Sequence, residues 1–279
     1  MAALNLPARS WLFVPATSPE RFAKAAASGA DRVIIDLEDA VDCAAKQDAR
    51  RQLAAAPLPE GLPLYVRINA LGTQWHDEDL ALVATLPVAG LMLPKAEDAA
   101  SLDRAAALLR ADQAIVPIIE TACGLWQVLE LARAGKVERL VFGALDFQID
   151  TGIQCAEDGE AELAYARSRI VVASRVAGIA AAIDTVTTVI DDQERIARDA
   201  QRSRRFGFAG KLAIHPKQVA AIHRAYLPSA EEIAWARGLL AQAREHSPAA
   251  ARGAFSYRGA MVDKPVLDRA RAILAAAAV

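Results

Sequence analysis

The stretch Asp31-Arg32-Val33-Ile34-Ile35-Asp36-Leu37-Glu38-Asp39 decides the fold. Residues 32–37 read as a nearly continuous apolar run rather than an alternating one, as expected of a parallel strand covered on both faces. The run then stops at acids. The same pattern recurs on either side, with strands predicted at 11–14, 32–37, 64–69, 90–93, 114–120, 139–144, 179–183 and 211–214. The longer segments 99–111, 125–134, 163–177 and 192–206 have helical spacing, and Gly29, Gly135, Gly178 and Gly207 fall where helices should stop. Ser18-Pro19-Glu20 reads as a helix start with Ser18 as its cap. Strand and helix alternating eight times favour a closed (β/α)8 TIM barrel of the α/β class over an open sheet.

The chain changes after the eighth strand. Ser229-Ala230-Glu231-Glu232 has capping-box spacing and opens a helix to about Glu245. A small-residue stretch at 247–253, the segment Phe255–Pro265 (FSYRGAMVDKP) and a last helix from Pro265 follow. The expected organisation is a barrel over residues 1–227 and a C-terminal helical extension, a lid, over 228–279.

Composition excludes several classes. With 279 residues and 54% hydrophobic content, the chain buries a full-size core and is neither a disordered tail nor a disulfide miniprotein. Lys and Arg number 32 against 34 Asp and Glu, so the basic excess of a nucleic-acid binder is missing. No uncharged apolar stretch reaches the roughly 18 residues of a spanning helix. The start MAALNLPARSW lacks the pattern of a signal peptide, so the expected location is the cytoplasm. The three cysteines, Cys43, Cys123 and Cys155, show no ligand spacing, which argues against zinc and fits reduced thiols. No serine-hydrolase elbow, P-loop or dinucleotide fingerprint occurs.

The chemistry sits at the strand ends, which a barrel gathers on one face. These ends carry Asp36 with Glu38 and Asp39, Arg67 with Asn69, Lys95, Glu120, Asp146, Asp184 and His215. Burying such groups singly costs several kcal/mol, so a shared polar site is the simplest resolution. Glu120 and Asp146, on neighbouring strands, make an oxygen-only pair suited to Mg²⁺. The bland alternative has each acid capping its own helix. Arg67 suits a carboxylate or enolate oxygen, and it also suits pairing with Glu38 or Asp39. Lys95 reads as an ion-paired lysine ahead of a Schiff-base nucleophile. His215 reads as a positioned structural histidine, and His76, His223 and His246 as exposed. Arg21 and Lys24, in the loop and helix after the first strand, would bind phosphate or be ordinary solvated charges.

Several ordered motifs then give a specific resemblance. RSWLFVPATSPERFAKA, DRVIIDLEDAV, YVRIN, LMLPKAE, IIETACGL, FGALDF, YARSRIVVASRVAGI and FGFAGKLAIHPKQV resemble the citrate lyase β-subunit-like family of the HpcH/HpaI aldolase group. That group includes malyl-CoA and citramalyl-CoA lyases. The resemblance runs from about Arg9 to the last helix. It implies a TIM barrel, Mg²⁺ as cofactor, and cleavage or formation of a C–C bond next to a CoA thioester or a citryl thioester, with an acyl-CoA and a 2-oxo acid as ligands. By position, Glu120 and Asp146 match the metal-binding acids. Arg67 matches the arginine at the oxo-acid or enolate oxygen. Arg21 and Lys24 lie where relatives hold CoA. Asp263 in GAMVDKP matches an aspartate that reaches a neighbouring subunit's site, and it would otherwise be an N-cap. A homo-oligomer, trimer or hexamer, is implied, with an acyl carrier protein as a possible partner. The rivals are an aldolase on free hydroxy-oxo acids and a non-catalytic citrate lyase-type subunit. One departure stands out: Leu145 occupies the position before Asp146 where the family often carries an acid.

Overall fold

The structure, a computed structural model, describes residues 9–156, 160–245 and 255–277. Eight parallel strands close into a barrel in chain order: β1 Ser10–Pro15, β2 Arg32–Asp36, β3 Leu64–Arg67, β4 Gly90–Leu93, β5 Ala114–Ile119, β6 Val141–Phe142, β7 Ile183–Asp184 and β8 Gly210–Ala213. The ring shuts where β1 pairs with β8, Trp11 opposite Leu212. Helices α1 Phe22–Ala26, α2 Lys46–Ala55, α3 His76–Thr85, α4 Ala99–Leu108, α5 Ala122–Trp126 and α6 Val128–Arg133 follow the first five strands. Next come α7 Ala144–Thr151, α8 Ala164–Ala177, α9 Gln193–Phe206 and α10 Val219–Tyr226.

Side-chain alternation explains the core. Trp11, Ile34, Tyr65, Met92, Ile183 and Leu212 point inward and fill the barrel. The intervening residues of the same strands face the helices, which is why almost every strand position is buried and apolar. Gly178 and Gly207 end α8 and α9 in the left-handed region, at φ 74° and 99°, where a side chain would be strained.

The chain divides into two compact units, Met1–Arg224 and Ala225–Val279. The second unit has its own core, with Ala236 and Leu239 of α11 (Ala230–Glu245) and Ala270 and Ile273 of α12 (Lys264–Ala277). Ser229 and Glu232 form the reciprocal cap read from the sequence: Glu232 N–H donates to Ser229 Oγ, and Ser229 N–H to the Glu232 carboxylate. The extension is not purely helical. Phe255–Tyr257 (β9) and Ala260–Val262 (β10) form an antiparallel hairpin, turned at Arg258-Gly259, both with positive φ. The stretch 247–253 and His246 lie outside the described residues.

Several local expectations need correction. The sixth and seventh strands are only two residues long, so Asp146 sits in the first turn of α7 rather than at a strand end. Ser18 makes no side-chain cap; Pro19–Arg21 is a single 3-10 turn leading into the five-residue α1. Segment 125–134 is broken at Gln127 into α5 and α6. His76 is buried, not exposed, with Nδ1 donating to Asn69 O at 2.9 Å. His223 is half-buried and bonds Ser10 Oγ at 2.7 Å at the foot of the barrel.

Candidate active site

The C-terminal mouth of the barrel is built from β2 upward. Asp36 accepts the N–H groups of Glu38 and Ala40, which folds the following loop back on itself. Buried Lys46 donates to the carbonyls of Leu37 and Glu38 at 2.8 and 2.6 Å, and Asn69 also donates to Leu37 O. Asp79 in turn fixes Asn69. The acidic loop is therefore pinned from behind.

Arg67, at the end of β3, enters this loop. Nε and Nη2 donate to the two oxygens of Asp36 at 2.7 and 2.6 Å, a bidentate fork. Nη1 lies 2.9 Å from Glu38 and 3.3 Å from Asp39. Its other face lies over the Phe13 ring, 4.7 Å from the centroid. Burial alone would lower its pKa, but the three carboxylates raise it, so the guanidinium stays charged.

Glu120 follows β5 and is buried. Its Oε1 accepts the N–H of Lys95, a residue held at φ 50°. Its other oxygen lies against Gly143, where an added Cβ would stand 2.4 Å from Oε2 and 2.7 Å from the Glu120 Cβ. Only glycine fits there. Asp146 is more open, with Lys95 Nζ 3.8 Å away and 3.6 Å from Glu38. Burial, then the charges of Glu38 and Asp146, push Glu120 up to about 8. Burial pushes Glu38 up to about 7, against the pull of Arg67. Burial opposes the Lys95 charge, yet Glu38, Glu120 and Asp146 raise its pKa. Lys95 is the ion-paired lysine, not a neutral amine.

Five carboxylates thus face two cations around the mouth. Two cavities open there. One, of about 530 Å³, is lined by Lys95, Glu97, Asp98, Glu120, Asp146 and Asp150, among others. The other, of about 390 Å³, reaches the barrel axis past Phe13, Arg67, Leu145 and Val186. Glu120 and Asp146 border both. An oxygen-only donor pair with surplus negative charge fits a hard divalent cation. Among the described residues no group of three or more His, Cys, Asp or Glu is placed to hold a metal, so such an ion would complete its shell from substrate and water.

Not every strand-end residue joins this site. Arg21 and Lys24 are exposed and line neither cavity. His215 caps the turn Pro216–Gln218, accepting the Lys217 N–H. Asn69 serves the loop behind Arg67. Asp184 turns outward, where Arg167 Nε donates to it at 3.1 Å with Ser203 Oγ beside it. Lys211 Nζ donates to Thr185 O at 2.7 Å in the same layer, and Arg202 bonds Asp199 and Glu160 at 3.0 Å. In the C-terminal unit, Asp263 caps α12, accepting the Val266 N–H at 3.3 Å. Glu38, read from the sequence among the strand-end acids and as a partner for Arg67, is the acid the sequence does not single out. The acid cluster after β2 was its signal, but nothing in the sequence separates the buried acid from exposed Asp39.

A closed parallel barrel whose mouth gathers acids around one clamped arginine defines a (β/α)8 barrel with a charged site at its C-terminal face. The chain belongs to the HpcH/HpaI aldolase/citrate lyase family, whose profile matches residues 9–216. It is 39% identical to the citrate lyase subunit beta-like protein of Deinococcus radiodurans, across 95% of this chain and 96% of that one. It is 31% identical to the mitochondrial citramalyl-CoA lyase of Mus musculus, across 96% and 86%. Among solved structures, the protein CitE from Mycobacterium tuberculosis in complex with magnesium, acetoacetate and coenzyme A superposes with a TM-score of 0.88 at 38% identity, covering 98% and 99% of the two chains. No helix among the described residues is long and apolar enough to cross a membrane.

Proposed function

We propose that this chain is a Mg²⁺-dependent carbon–carbon lyase acting in the cytoplasm on a 3-hydroxyacyl thioester that bears a carboxylate, such as malyl-CoA, citramalyl-CoA or a citryl thioester. One observation carries the reading: five carboxylates against two cations, with Glu120 and Asp146 bordering both cavities. The magnesium and coenzyme A held by the Mycobacterium tuberculosis relative support it. Glu120 and Asp146 would hold the ion, which when bound supplies Lewis-acid polarisation of the oxo-acid oxygens. Arg67 is already oriented by Asp36, so it stabilises a developing enolate oxygen without reorganising.

In the cleavage direction the substrate hydroxyl loses its proton and the C–C bond breaks. A 2-oxo acid leaves, and the thioester enolate carbon takes a proton to become acetyl-CoA. Asp263 of another subunit would exchange that proton, which makes a homo-oligomer, trimer or hexamer, a requirement. Residues 228–279 would act as the lid, and Arg21 with Lys24 would meet the phosphates of CoA. The test is direct: purified protein with Mg²⁺ releases a 2-oxo acid and acetyl-CoA from at least one of these thioesters. No release from any of them, or undiminished release by Glu120→Gln, overturns the reading.

A further inference from the structure

The 390 Å³ cavity is lined by charged and apolar side chains together. Asp36, Asp39 and Arg67, after β2 and β3, line it with Glu120 and Asp146. Leu145, Val186 and Ile214, after β6, β7 and β8, bring apolar groups to the same cavity. Leu145 is 47% exposed and Ile214 40% exposed. An exposed leucine in the first turn of a helix adds nothing to the core, and apolar side chains gathered on a cavity wall mark a ligand contact. Leu145 and Asp146 line the same cavity.

A 2-oxo acid, R–CO–COO⁻, held at its carboxylate and oxo oxygens leaves R as its free end. Against Asp36, Asp39 and Arg67, R would strip water from charge, which is costly. Against Leu145, Val186 and Ile214 it meets hydrocarbon. Resting on the lyase reading above, we propose that Leu145, Val186 and Ile214 form an alkyl subsite for R. The chain then takes 2-oxo acids with a short alkyl R, and the thioesters made from them, ahead of those whose R is hydrogen or carboxymethyl. A carboxymethyl group would bring a carboxylate against hydrocarbon and beside Asp146. This narrows the substrate away from citryl thioesters, whose oxo-acid product is oxaloacetate.

The experiment compares glyoxylate, pyruvate, 2-oxobutanoate and oxaloacetate on the Mg²⁺-loaded full chain. Binding is read by calorimetry and kcat/KM by condensation with acetyl-CoA. Pyruvate and 2-oxobutanoate should exceed glyoxylate by roughly fourfold or more per added carbon. Oxaloacetate should trail pyruvate by about a hundredfold. Leu145→Ala should shrink the pyruvate-to-glyoxylate ratio in binding as well as in turnover. Glyoxylate or oxaloacetate binding as well as pyruvate, or a ratio unmoved by Leu145→Ala, overturns the subsite. If the binding order holds while no thioester forms or breaks, the alkyl subsite stands and the lyase reading falls. Turnover with a flat order removes the subsite and leaves the lyase reading standing. An absence of oxo-acid binding removes both.

Discussion

Two clusters of charge in this barrel have opposite balances. Behind β7 and β8, Arg167, Arg195, Arg202 and Lys211 meet Asp184, Asp199 and Glu160, four basic groups with three acids. At the mouth, Asp36, Glu38, Asp39, Glu120 and Asp146 meet only Arg67 and Lys95. The basic-rich cluster joins strands to helices, and neither mouth cavity reaches it. The acidic one borders both. A buried cluster closed off from the cavities serves the fold, whereas an acidic one open to them is completed by something from outside.

The largest expected effect breaks the closed cluster. Arg167→Ala leaves buried Asp184 without its guanidinium partner and should cost about 3–5 kcal/mol of stability in urea unfolding. Its Mg²⁺ affinity, measured on the protein that remains folded, should stay near that of the parent chain. Glu120→Gln inverts the pattern. Mg²⁺ affinity by calorimetry should drop at least about a hundredfold, roughly 2.7 kcal/mol, while the melting temperature holds or rises because a disfavoured charge is gone. A variant that loses both or neither would erase the distinction between the clusters.

Acidity sharpens the same comparison. Metal must displace the proton that burial keeps on Glu120, whose pKa stands at about 8. Mg²⁺ affinity should therefore fall by up to about tenfold per pH unit below pH 8, with proton uptake on metal release. An affinity flat between pH 6 and 8.5 would show that Glu120 is not the titrating ligand. The smallest effect is at the foot of the barrel. Burial tends to raise the pKa of Asp31, but the His223 hydrogen bond and charge and the N–H groups of Ser10 and Arg9 outweigh it and lower it. A lowered carboxyl pKa stabilises the fold above the unfolded value and loses that contribution as pH falls through the folded one. Asp31→Asn should cost about 1 kcal/mol near neutrality and progressively less as pH falls below the ordinary Asp value, read from denaturation midpoints across that range.

The barrel is legible in the sequence because parallel strands buried on both faces leave long apolar runs; β2 and β4 coincide with theirs almost to the residue. The apolar runs around β6 and β7 overstate those strands, because ladder pairing ends after two residues while the apolar stretch continues into loop and helix. At the site, residue type suffices for Glu120, Asp146 and Arg67, which the mouth brings together. It does not suffice for Asp184, a strand-end acid that faces outward. The period-two alternation of strand side chains separates the two classes, but only once the strand boundary is known. The burial of His76 is hidden for a related reason: it depends on Asn69, seven residues away across a loop, and leaves no mark in a local window.

The missing side chain of Gly143 has a consequence for how this site is able to vary. A Cβ at 143 would meet the Glu120 carboxylate, the Glu120 Cβ at 2.7 Å and the Ile118 Cγ2 at 3.0 Å. Shortening residue 120 would remove only the first of these contacts, so position 143 keeps open the close approach of the chain after β5 to the chain after β6. The Glu120 carboxylate is thereby held at a fixed depth, and a ligand set of different reach at this mouth would need those two strand ends to separate.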